Sequence, residues 1–378
     1  MVENRFRIGI IFNFNPRWTG GMIYILNCIK ILGYLEDKDK PHIVVLYNPE
    51  LEQHIKEIDY PYLECHPHQF QEIYKGYIQS WFRNKNYFAD ELIKDFYLDA
   101  IYPLHYFPVR SNSRAKLVPW IADFQELYYP EFFTKLNRFG RWVRIKFILR
   151  NSNCLVVSSE AVKNDLYKFF KVPSRLKVHV YHFVSIIDNF HETNDVELRE
   201  KYNLPEHYFI VSNQFHKHKN HTVVFKALAE IKKQGGNAHI VVTGRFPKDT
   251  ESPYLKGLHD IIDENGLSAN VSLLGLIPRG DQLMMMKHAS AVIQPSLFEG
   301  WSTVIEDARS LQTPVIASNI PVNVEQLGDS GVFFEPHDYI DLAEKIINFK
   351  SKEKGQLLYK DYNLRMREAA YELFSVFK

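Results

Sequence analysis

The sequence predicts an α/β protein made of two doubly wound domains with parallel sheets. Short apolar runs alternate with helical patterns along most of the chain, and this alternation is typical of βαβ units. The chain has 378 residues, which is more than one ordinary α/β core requires and enough for two domains. A polar stretch at 185–206 interrupts the alternation, and we place the domain linker there.

This linker sets the expected domain boundaries. We expect an N-terminal domain over residues 1–190 and a C-terminal domain over residues 200–358. The last segment, 359–378, has apolar residues at helical spacing. We expect it to form a helix that packs back across the linker onto the first domain.

Composition excludes several classes of protein. The formal net charge is +1, so no global positive charge indicates a nucleic-acid partner. The three cysteines, Cys28, Cys65 and Cys154, have no metal or redox spacing, which is typical of a reducing cytosol. The apolar run at 8–12 is too short for a signal peptide, and no run approaches the roughly 20 residues of a membrane-spanning helix. We therefore expect a cytoplasmic protein.

The first domain has two candidate ligand positions, each after a predicted strand. Gly20 and Gly21 lie between the first strand and a helical pattern, where glycine lets the backbone approach a phosphate or a sugar. An ordinary βα turn has the same pattern, and no G-x-G-x-x-G or Walker motif is present. Asp123 follows a predicted strand at 116–121, whose internal Pro119 indicates an edge or an irregular strand. Asp123 is placed either to line a cleft or to cap a turn.

The predicted helix at 135–151 carries six basic residues, no acidic residue and several aromatic residues. A basic, aromatic helix of this kind can lie on an anionic membrane surface. A domain helix with one solvated face has the same composition. The domain helix is the preferred interpretation, and membrane contact stays open as an alternative.

The second domain begins with a strand and a cationic loop. The loop at 213–221 contains Lys217, Lys219 and three histidines, and a helical pattern follows it. A lysine at a strand-to-helix turn can neutralise a diphosphate, while a solvated loop would show the same residues. The histidines have no carboxylate or cysteine partner at ligand spacing, so an anion site is a simpler interpretation than a metal site.

The stretch at 291–334 has the pattern of a complete βαβ unit with two carboxylates, Glu299 and Glu306, at the start of its helix. Ligands of such units lie outside the carboxyl ends of the strands, where helix N-termini present free N–H groups. Thr303 and Glu306 also have the spacing of a capping box, in which the glutamate binds the backbone N–H of the cap residue. Glu306 is therefore a candidate for ligand binding or for helix capping.

Taken together, these stretches resemble the retaining glycosyltransferases of family 4, which have the GT-B fold. Weaker similarity covers 18–21, 120–133 and 157–166, so the resemblance spans nearly the whole chain. The motifs that carry it follow one another in family order: Ser212-Asn213-Gln214-Phe215, Lys219-Asn220-His221, Gly275-Leu276-Ile277-Pro278-Arg279, the run Gln294–Ser302, and Thr313-Pro314-Val315-Ile316-Ala317-Ser318.

The resemblance implies a GT-B architecture, with two Rossmann-like domains facing across a cleft, and it implies roles for particular residues. Lys219 would hold the donor diphosphate, Glu299 would contact hydroxyls of the donor sugar, and Glu306 would bind the ribose. Asp123 would line the acceptor side as a catalytic residue together with Glu299 and Lys219. The remaining implied donor contacts are Gly20 and Gly21, Gln214, the backbone at Ile277 and Pro278, and the N–H groups of Gly300, Trp301, Ser302 and Thr303.

The chain departs from the family pattern at three positions. Six residues rather than seven separate Glu299 from Glu306. Gln214 stands where the family usually has a diphosphate-binding arginine, so Lys219 and the helix dipole must stabilise more of the leaving-group charge. Ala122 stands where the family often has a histidine, directly before the position of Asp123.

The resemblance implies a retaining, metal-independent hexosyltransferase that needs no cofactor and uses a nucleotide-sugar as substrate. The acceptor would be a saccharide or a lipid-linked saccharide in surface polysaccharide assembly. Such an acceptor would suit peripheral contact with the inner face of the membrane through 135–151. Two alternatives stay open: an epimerase or hydrolase of nucleotide-sugars on the same fold, and a non-catalytic glycan-binding partner. The missing glycine fingerprint argues against a dehydrogenase.

Overall fold

The computed structural model describes residues 5–14, 19–56, 58–70, 73–83, 85–104, 110–187, 195–246, 252–349 and 358–378. They form two compact units. The first unit comprises Met1–Val184 and Asn363–Lys378, and the second comprises Ser185–Tyr362. None of the described helices is both long enough and apolar enough to cross a membrane.

The first unit is built on parallel strands with helices between them. One sheet has the order β3-β2-β1-β4-β5 and a second sheet has the order β6-β7-β8. The strands are β1 (Arg7–Phe12), β2 (His42–Tyr47), β3 (Leu63–Pro67), β4 (Ala100–Tyr102), β5 (Lys116–Leu117), β6 (Trp120–Ile121), β7 (Cys154–Val157) and β8 (Lys177–Val180). The helices are α1 (Thr19–Ile31), α2 (Glu52–Ile55), α3 (Ile73–Arg83), α4 (Tyr87–Phe96), α5 (Gln125–Tyr128), α6 (Lys135–Asn151) and α7 (Glu160–Phe169).

The strand predicted at 116–121 is two strands, because the backbone changes partners at Pro119. The Val118 N–H donates to the Ile101 carbonyl, and the Pro119 carbonyl accepts from the Val156 N–H. Proline has no N–H to donate, so the ladder with β4 cannot continue through it. Both pieces are edge strands, since β5 pairs only with β4 and β6 pairs only with β7 among the described strands, so the prediction of an edge or an irregular strand is confirmed.

The second unit has one six-stranded parallel sheet in the order β11-β10-β9-β12-β13-β14. Counted within the unit, this is the order 3-2-1-4-5-6 of a doubly wound dinucleotide-type fold. The strands are β9 (Phe209–Ser212), β10 (Ile240–Thr243), β11 (Val271–Gly275), β12 (Val292–Gln294), β13 (Val315–Ser318) and β14 (Val332–Phe334). The helices are α8 (Asp195–Tyr202), α9 (His221–Lys233), α10 (Pro253–Glu264), α11 (Arg279–His288), α12 (Thr303–Ser310), α13 (Pro321–Leu327) and α14 (Tyr339–Ile347).

The four inner strands of this sheet, β10, β9, β12 and β13, are buried on both faces, which explains their continuous apolar runs. In β9, Val211 belongs to a core formed with α9, α10 and α14, while Ile210 belongs to a core formed with α8, α11 and α12. Adjacent residues of a strand point to opposite faces. Helices therefore cover both sides of the sheet, and the polar ends of the strands are left for the ligand.

Helix α8 lies inside the stretch that the sequence indicated as linker. Its Leu198 is fully buried beside Met284 and Met285 of α11, and Lys201 pairs with Asp281 at 2.7 Å. The polar composition of the segment concealed this helix, because only one of its eight residues is buried.

The C-terminal helix α15 (Tyr362–Phe377) starts three residues later than expected and packs within the first unit. The ring of Phe374 meets Phe6 edge-to-face with centroids 6.2 Å apart, and Phe377 meets Tyr102 in the same way at 5.7 Å. Aromatic pairs of this geometry add specific contacts to the area that they bury.

One glycine is required by the close approach of two loops in the second unit. Gly244, just after β10, has a φ of 140°, and a Cβ atom there would lie 2.0 Å from the Asn213 carbonyl oxygen. We predict that Gly244→Ala lowers the free energy of unfolding by about 3 kcal/mol, because neither the backbone conformation nor the space accepts a side chain. Denaturant titration of the intact chain measures this change.

Gly257→Ala is the matched control, because Gly257 lies in α10 with open space around it. It should raise the free energy of unfolding by up to about 1 kcal/mol through helix propensity. A Gly244→Ala variant as stable as the parent chain would show that the loop contact is not required.

Candidate functional site

The reversal of strand order between β9 and β12 places two loops side by side at the carboxyl end of the sheet. One loop follows β9 and the other follows β12. The side-chain amide of Asn213 donates to the Gln294 Oε1 at 2.9 Å and joins the two strand ends. The Leu297 N–H donates to the His218 carbonyl at 2.8 Å and joins the two loops. Ligands of doubly wound sheets bind at such a switch point.

Lys219 and Glu299 meet across these loops. The Lys219 Nζ lies 2.5 Å from the Glu299 Oε1, and the two side chains are 18% and 11% exposed. The same oxygen accepts a 2.9 Å hydrogen bond from Gln294 Nε2. The next residue, Asn220, has a φ of 54°, and this left-handed turn directs the chain into α9. The pair thus occupies the end of the sheet with a fixed geometry and little contact with water.

Helix α12 begins beside Glu299, at the turn that holds Gly300 and Trp301. Its cap residue is Ser302, whose hydroxyl accepts from the Ile305 N–H at 3.3 Å. The capping box predicted at Thr303 is therefore wrong, since Thr303 is already inside the helix. The N–H groups of Thr303 and Val304 have no hydrogen-bond partner among the described residues. With the positive end of the helix dipole, they can receive an anionic ligand.

A glutamine from α13 braces this helix start. The Gln326 Oε1 accepts from the Ser302 N–H at 3.1 Å, and its Nε2 donates to the Ser302 carbonyl at 2.9 Å. The same Nε2 donates to the Glu306 Oε1 at 2.9 Å. Gln326 therefore fixes both the backbone of the cap residue and a carboxylate one turn further on.

Glu306 is fully buried, and its Oε1 also accepts from Arg309 at 2.6 Å. It stands one residue beyond the position that a capping glutamate would occupy behind Ser302, so the cap interpretation does not account for it. A buried carboxylate with an arginine and an amide donor is well satisfied. Any direct contact with a ligand must share this carboxylate with Arg309 and Gln326.

The remaining predicted donor residues lie at neighbouring strand ends. Gln214 follows β9, and its Oε1 is 2.9 Å from the His216 Nε2. Ile277 and Pro278 follow β11, and Pro278 is the residue before α11. Both strand ends lie at the carboxyl edge of the sheet, as do Lys219 and Glu299. The structure therefore brings the predicted residues of the second unit to one edge.

The pKa values of three histidines in the β9 loop are lowered, which favours the neutral form of each ring. Burial lowers the pKa of His221 to about 3, where the ring stacks on Phe215 with centroids 4.5 Å apart. Burial and the neighbouring Lys219 charge lower the pKa of His218 to about 3, and the same two causes lower the pKa of His216. Among the described residues there is no cluster of three or more His, Cys, Asp or Glu that would hold a metal ion.

The predicted residues of the first unit are placed as follows. Gly20 and Gly21 lie in the first turn of α1, after β1, and a Cβ at Gly20 would meet open space. Trp18, part of the weaker resemblance, lies outside the described residues. Asp123 is half-buried after β6, and its Oδ1 accepts from the Gln125 N–H at 3.0 Å. This bond caps the turn before α5 and leaves the other carboxylate oxygen for a ligand.

A polar network missed by the sequence interpretation holds α12 from its other side. The buried Asp307 Oδ1 lies 2.5 Å from an Arg279 nitrogen and accepts from the Ser185 hydroxyl at 2.5 Å. The Ser310 hydroxyl donates to the Ser185 carbonyl at 2.7 Å. Sequence offered no signal for this network, because its members are up to 125 residues apart. The role of Gln294 could have been predicted from the sequence, since it is a polar residue at the end of an apolar strand.

Comparisons with known proteins show which family and which fold the chain is similar to. Residues 194–373 match the model of the family described as glycosyl transferases group 1. The O-antigen chain mannosyltransferase RfbU of Salmonella typhimurium is 25% identical over 247 residues, which cover 65% of this chain and 64% of that protein. The chain thus spans less than two thirds of that relative's length. O-antigen chain mannosyltransferase B of Escherichia coli is 27% identical over 90 residues, which cover 24% of each chain.

A solved structure extends the similarity in fold to nearly the whole chain. The crystal structure of Anabaena Alr3699/HepE in complex with UDP and glucose superposes with a TM-score of 0.65 at 17% identity. The superposition covers 98% of this chain and 96% of the Anabaena chain. The predicted fold class is confirmed: the protein is of the GT-B class, with parallel sheets in two Rossmann-like α/β domains.

The family model matches slightly less than half of the chain. Residues 194–373 are therefore similar to glycosyl transferases group 1, and the solved structure shows that the fold is shared over nearly the whole chain. The glycosyltransferase activity of the protein stays a prediction. Membership of family 4 and the retaining mechanism stay predictions.

The buried histidine makes stability depend on pH. His221 is neutral in the folded chain down to about pH 3, whereas an unfolded histidine gains a proton near pH 6.5. The unfolded state therefore binds more protons between these values, and stability falls as pH falls from 6.5 towards 3. We predict that going from pH 7 to pH 5 lowers the free energy of unfolding by about 2 kcal/mol through His221 alone.

Denaturant titration at both pH values, on the parent chain and on His221→Phe, measures this dependence. In His221→Phe, the fall in the free energy of unfolding from pH 7 to pH 5 should be smaller than in the parent chain by about 2 kcal/mol. His207→Gln, which changes an exposed histidine of the same unit, should show the same fall as the parent chain. An equal pH dependence in the parent chain and His221→Phe would contradict the assignment.

Proposed function

We propose that this protein is a retaining glycosyltransferase of family 4 that moves a hexose from a nucleotide-sugar to a saccharide or lipid-linked saccharide. The observation that supports this most is the Lys219–Glu299 pair at the switch point beside the start of α12. A cation, a carboxylate and free N–H groups at one sheet edge suit a ligand with both phosphates and hydroxyls. Peptide or nucleic-acid ligands do not require this combination.

The residues would divide the work as follows. Lys219 and the N–H groups at the start of α12 would hold the diphosphate, and Glu299 would accept from hydroxyls of the donor sugar. Without ligand, Glu299 neutralises Lys219, so donor binding would exchange one anion on Lys219 for another. Gln214 adds no charge where an arginine is usual, so these groups would stabilise most of the charge on the leaving diphosphate.

The chemical step would break the bond between the anomeric carbon and the phosphate oxygen and form a bond to the acceptor oxygen on the same face. The acceptor hydroxyl proton would go to the departing phosphate, and the nucleoside diphosphate would leave. Lys219 and the helix N-terminus would supply the positive charge, so the reaction would need no metal ion or other cofactor. Asp123, with one free carboxylate oxygen, would orient the acceptor hydroxyl.

The acceptor and the cellular setting are proposed from the relatives. The Salmonella and Escherichia coli relatives are named for building O-antigen chains. A corresponding role here would be assembly of a surface polysaccharide on the cytoplasmic side, with peripheral membrane contact through α6. That helix exposes Leu136, Phe139 and Trp142 among its basic residues.

A donor screen followed by transfer assays tests the proposal. UDP-, GDP- and ADP-sugars should be screened by thermal shift, because a ligand that binds only the folded chain raises its unfolding temperature. The selected donor should then transfer its sugar to an acceptor panel in the presence of EDTA. Donor consumption without any acceptor would favour a hydrolase or epimerase, and binding without transfer would favour a glycan-binding partner.

Two substitutions separate the roles of the central pair. Lys219→Met should weaken nucleoside diphosphate binding by roughly 10- to 100-fold, because a charged hydrogen bond to the diphosphate is lost. Glu299→Gln should preserve or improve that binding, because it releases Lys219, yet transfer should fall by about 100-fold. Titration calorimetry with the diphosphate and initial rates with the complete donor measure the two effects.

Lys217→Met is the matched control, since it removes an exposed cation two residues from Lys219. It should leave both quantities nearly unchanged. Weaker diphosphate binding in Glu299→Gln would contradict the proposed exchange of anions on Lys219.

Glu306 is proposed to bind the ribose through the carboxylate that it shares with Arg309 and Gln326. The parent chain should then prefer the selected nucleotide over its 2′,3′-dideoxy analogue by about tenfold, and Glu306→Gln should lose this preference. Affinities of both nucleotides for both chains measure it. Asp307→Asn, which changes the next buried carboxylate on the helix, is the control for general destabilisation. A less stable Glu306→Gln that keeps the preference would show that Glu306 only supports the helix.

A further inference from the structure

The first unit contains a cavity of about 260 Å³ beside α6 that none of the roles above uses. Its apolar lining is Leu127 of α5, Phe139, Trp142 and Ile145 of α6, and Phe170 after α7. The lining begins at Glu126, three residues after Asp123, the proposed acceptor-side carboxylate. Ligand pockets for complete small molecules are usually larger. This volume fits one segment of an elongated apolar molecule.

The charge at the cavity is positive. Lys135 and Arg138 are exposed residues of its lining, and neither side chain has a hydrogen bond or ion pair with any residue that the structure describes. The one carboxylate in the lining, Glu126, is 4% exposed and pairs with Arg141 at 2.9 Å. Two uncompensated cations therefore stand at the mouth of an apolar space, which suits a molecule with an anionic head and an apolar tail.

The surface around the cavity is one that a membrane would cover. Phe139 and Trp142 are 61% and 49% exposed with stacked rings, and Leu136 is 78% exposed. Helix α3 continues this surface, since its Trp81 is 62% exposed and packs against Phe147 of α6. Large exposed apolar residues grouped with cations, on a helix that has no acidic residue, indicate an interface with anionic lipid.

We propose that this cavity binds the lipid phosphate of a membrane-resident acceptor. The first segment of the hydrocarbon chain would pack between Phe139, Trp142 and Phe170, and the phosphate would lie at Lys135 and Arg138. The inference rests on the proposed function, because it names the part of a lipid-linked acceptor that the first unit recognises. It adds a specific phosphate contact to the general attraction between a basic helix and a membrane.

The test uses tryptophan fluorescence of the full chain with vesicles of phosphatidylcholine, alone or mixed with phosphatidic acid. The lipids carry bromine on their acyl chains, which quenches nearby tryptophans. Vesicles that contain phosphatidic acid should quench strongly, and Trp142→Phe should lose the larger share of that quenching. Trp81→Phe is the matched comparison, since it removes an exposed tryptophan of the same surface outside the cavity, and it should lose a smaller share.

Two variants that each remove one positive charge test the phosphate contact. Arg138→Gln should weaken binding to vesicles with phosphatidic acid by about fivefold, and Arg150→Gln, at the other end of the same helix, should have a smaller effect. Equal losses in the two variants, or equal quenching by the two vesicle types, would overturn the phosphate site in favour of diffuse attraction. Quenching that survives in Trp142→Phe and disappears in Trp81→Phe would place the contact on α3 and also overturn it.

The donor screen distinguishes this inference from the proposed function. Trp142→Phe and Arg138→Gln should keep the thermal shift that the selected nucleotide-sugar produces in the parent chain. Both should transfer sugar to a lipid-free acceptor at the parent rate and lose rate only with a lipid-linked acceptor. Failed vesicle tests with intact donor binding and transfer would overturn the cavity inference alone, and absent donor binding in the parent chain would overturn the function.

Discussion

The reversal of strand order between β9 and β12 is the constraint on which the second unit depends. Because the helices on either side of this point lie on opposite faces of the sheet, the loops before them diverge and leave the strand ends open. The Asn213–Gln294 hydrogen bond closes the base of that opening, and Lys219 and Glu299 meet above it. The positions of the polar groups are thus determined by the sheet and do not depend on loop movement.

Charge compensation between Lys219 and Glu299 then determines which kind of ligand group the site can accept in exchange. Lys219 and Glu299 neutralise each other with little solvent contact, so neither charge is left isolated when the site is empty. Two histidines of the same loop, His218 and His221, contribute no charge near neutral pH, because burial keeps them deprotonated. The cationic character of the loop near neutral pH therefore belongs mainly to its lysines.

Sequence reasoning predicted the fold class, the alternation of strands and helices, and the bounds of α6, because these depend on periodicity and local capping. It missed α8, whose eight residues have one buried member, and β3, which is only partly buried. It also assigned the cap of α12 to Thr303, because Ser302 and Thr303 are chemically equivalent candidates. The contacts of Gln326 and Asp307 join residues distant in sequence, so no local pattern could reveal them.

The brace at Gln326 limits which residues that position can accept. One side chain accepts from the Ser302 N–H and donates both to the Ser302 carbonyl and to Glu306. A glutamate would supply no donor and a lysine no acceptor, while asparagine has the right groups on a shorter arm. The geometry of the first turn of α12 therefore depends on one side-chain amide of another helix, which both donates and accepts hydrogen bonds. A survey of natural variation that looked only at ligand-contacting positions would overlook it.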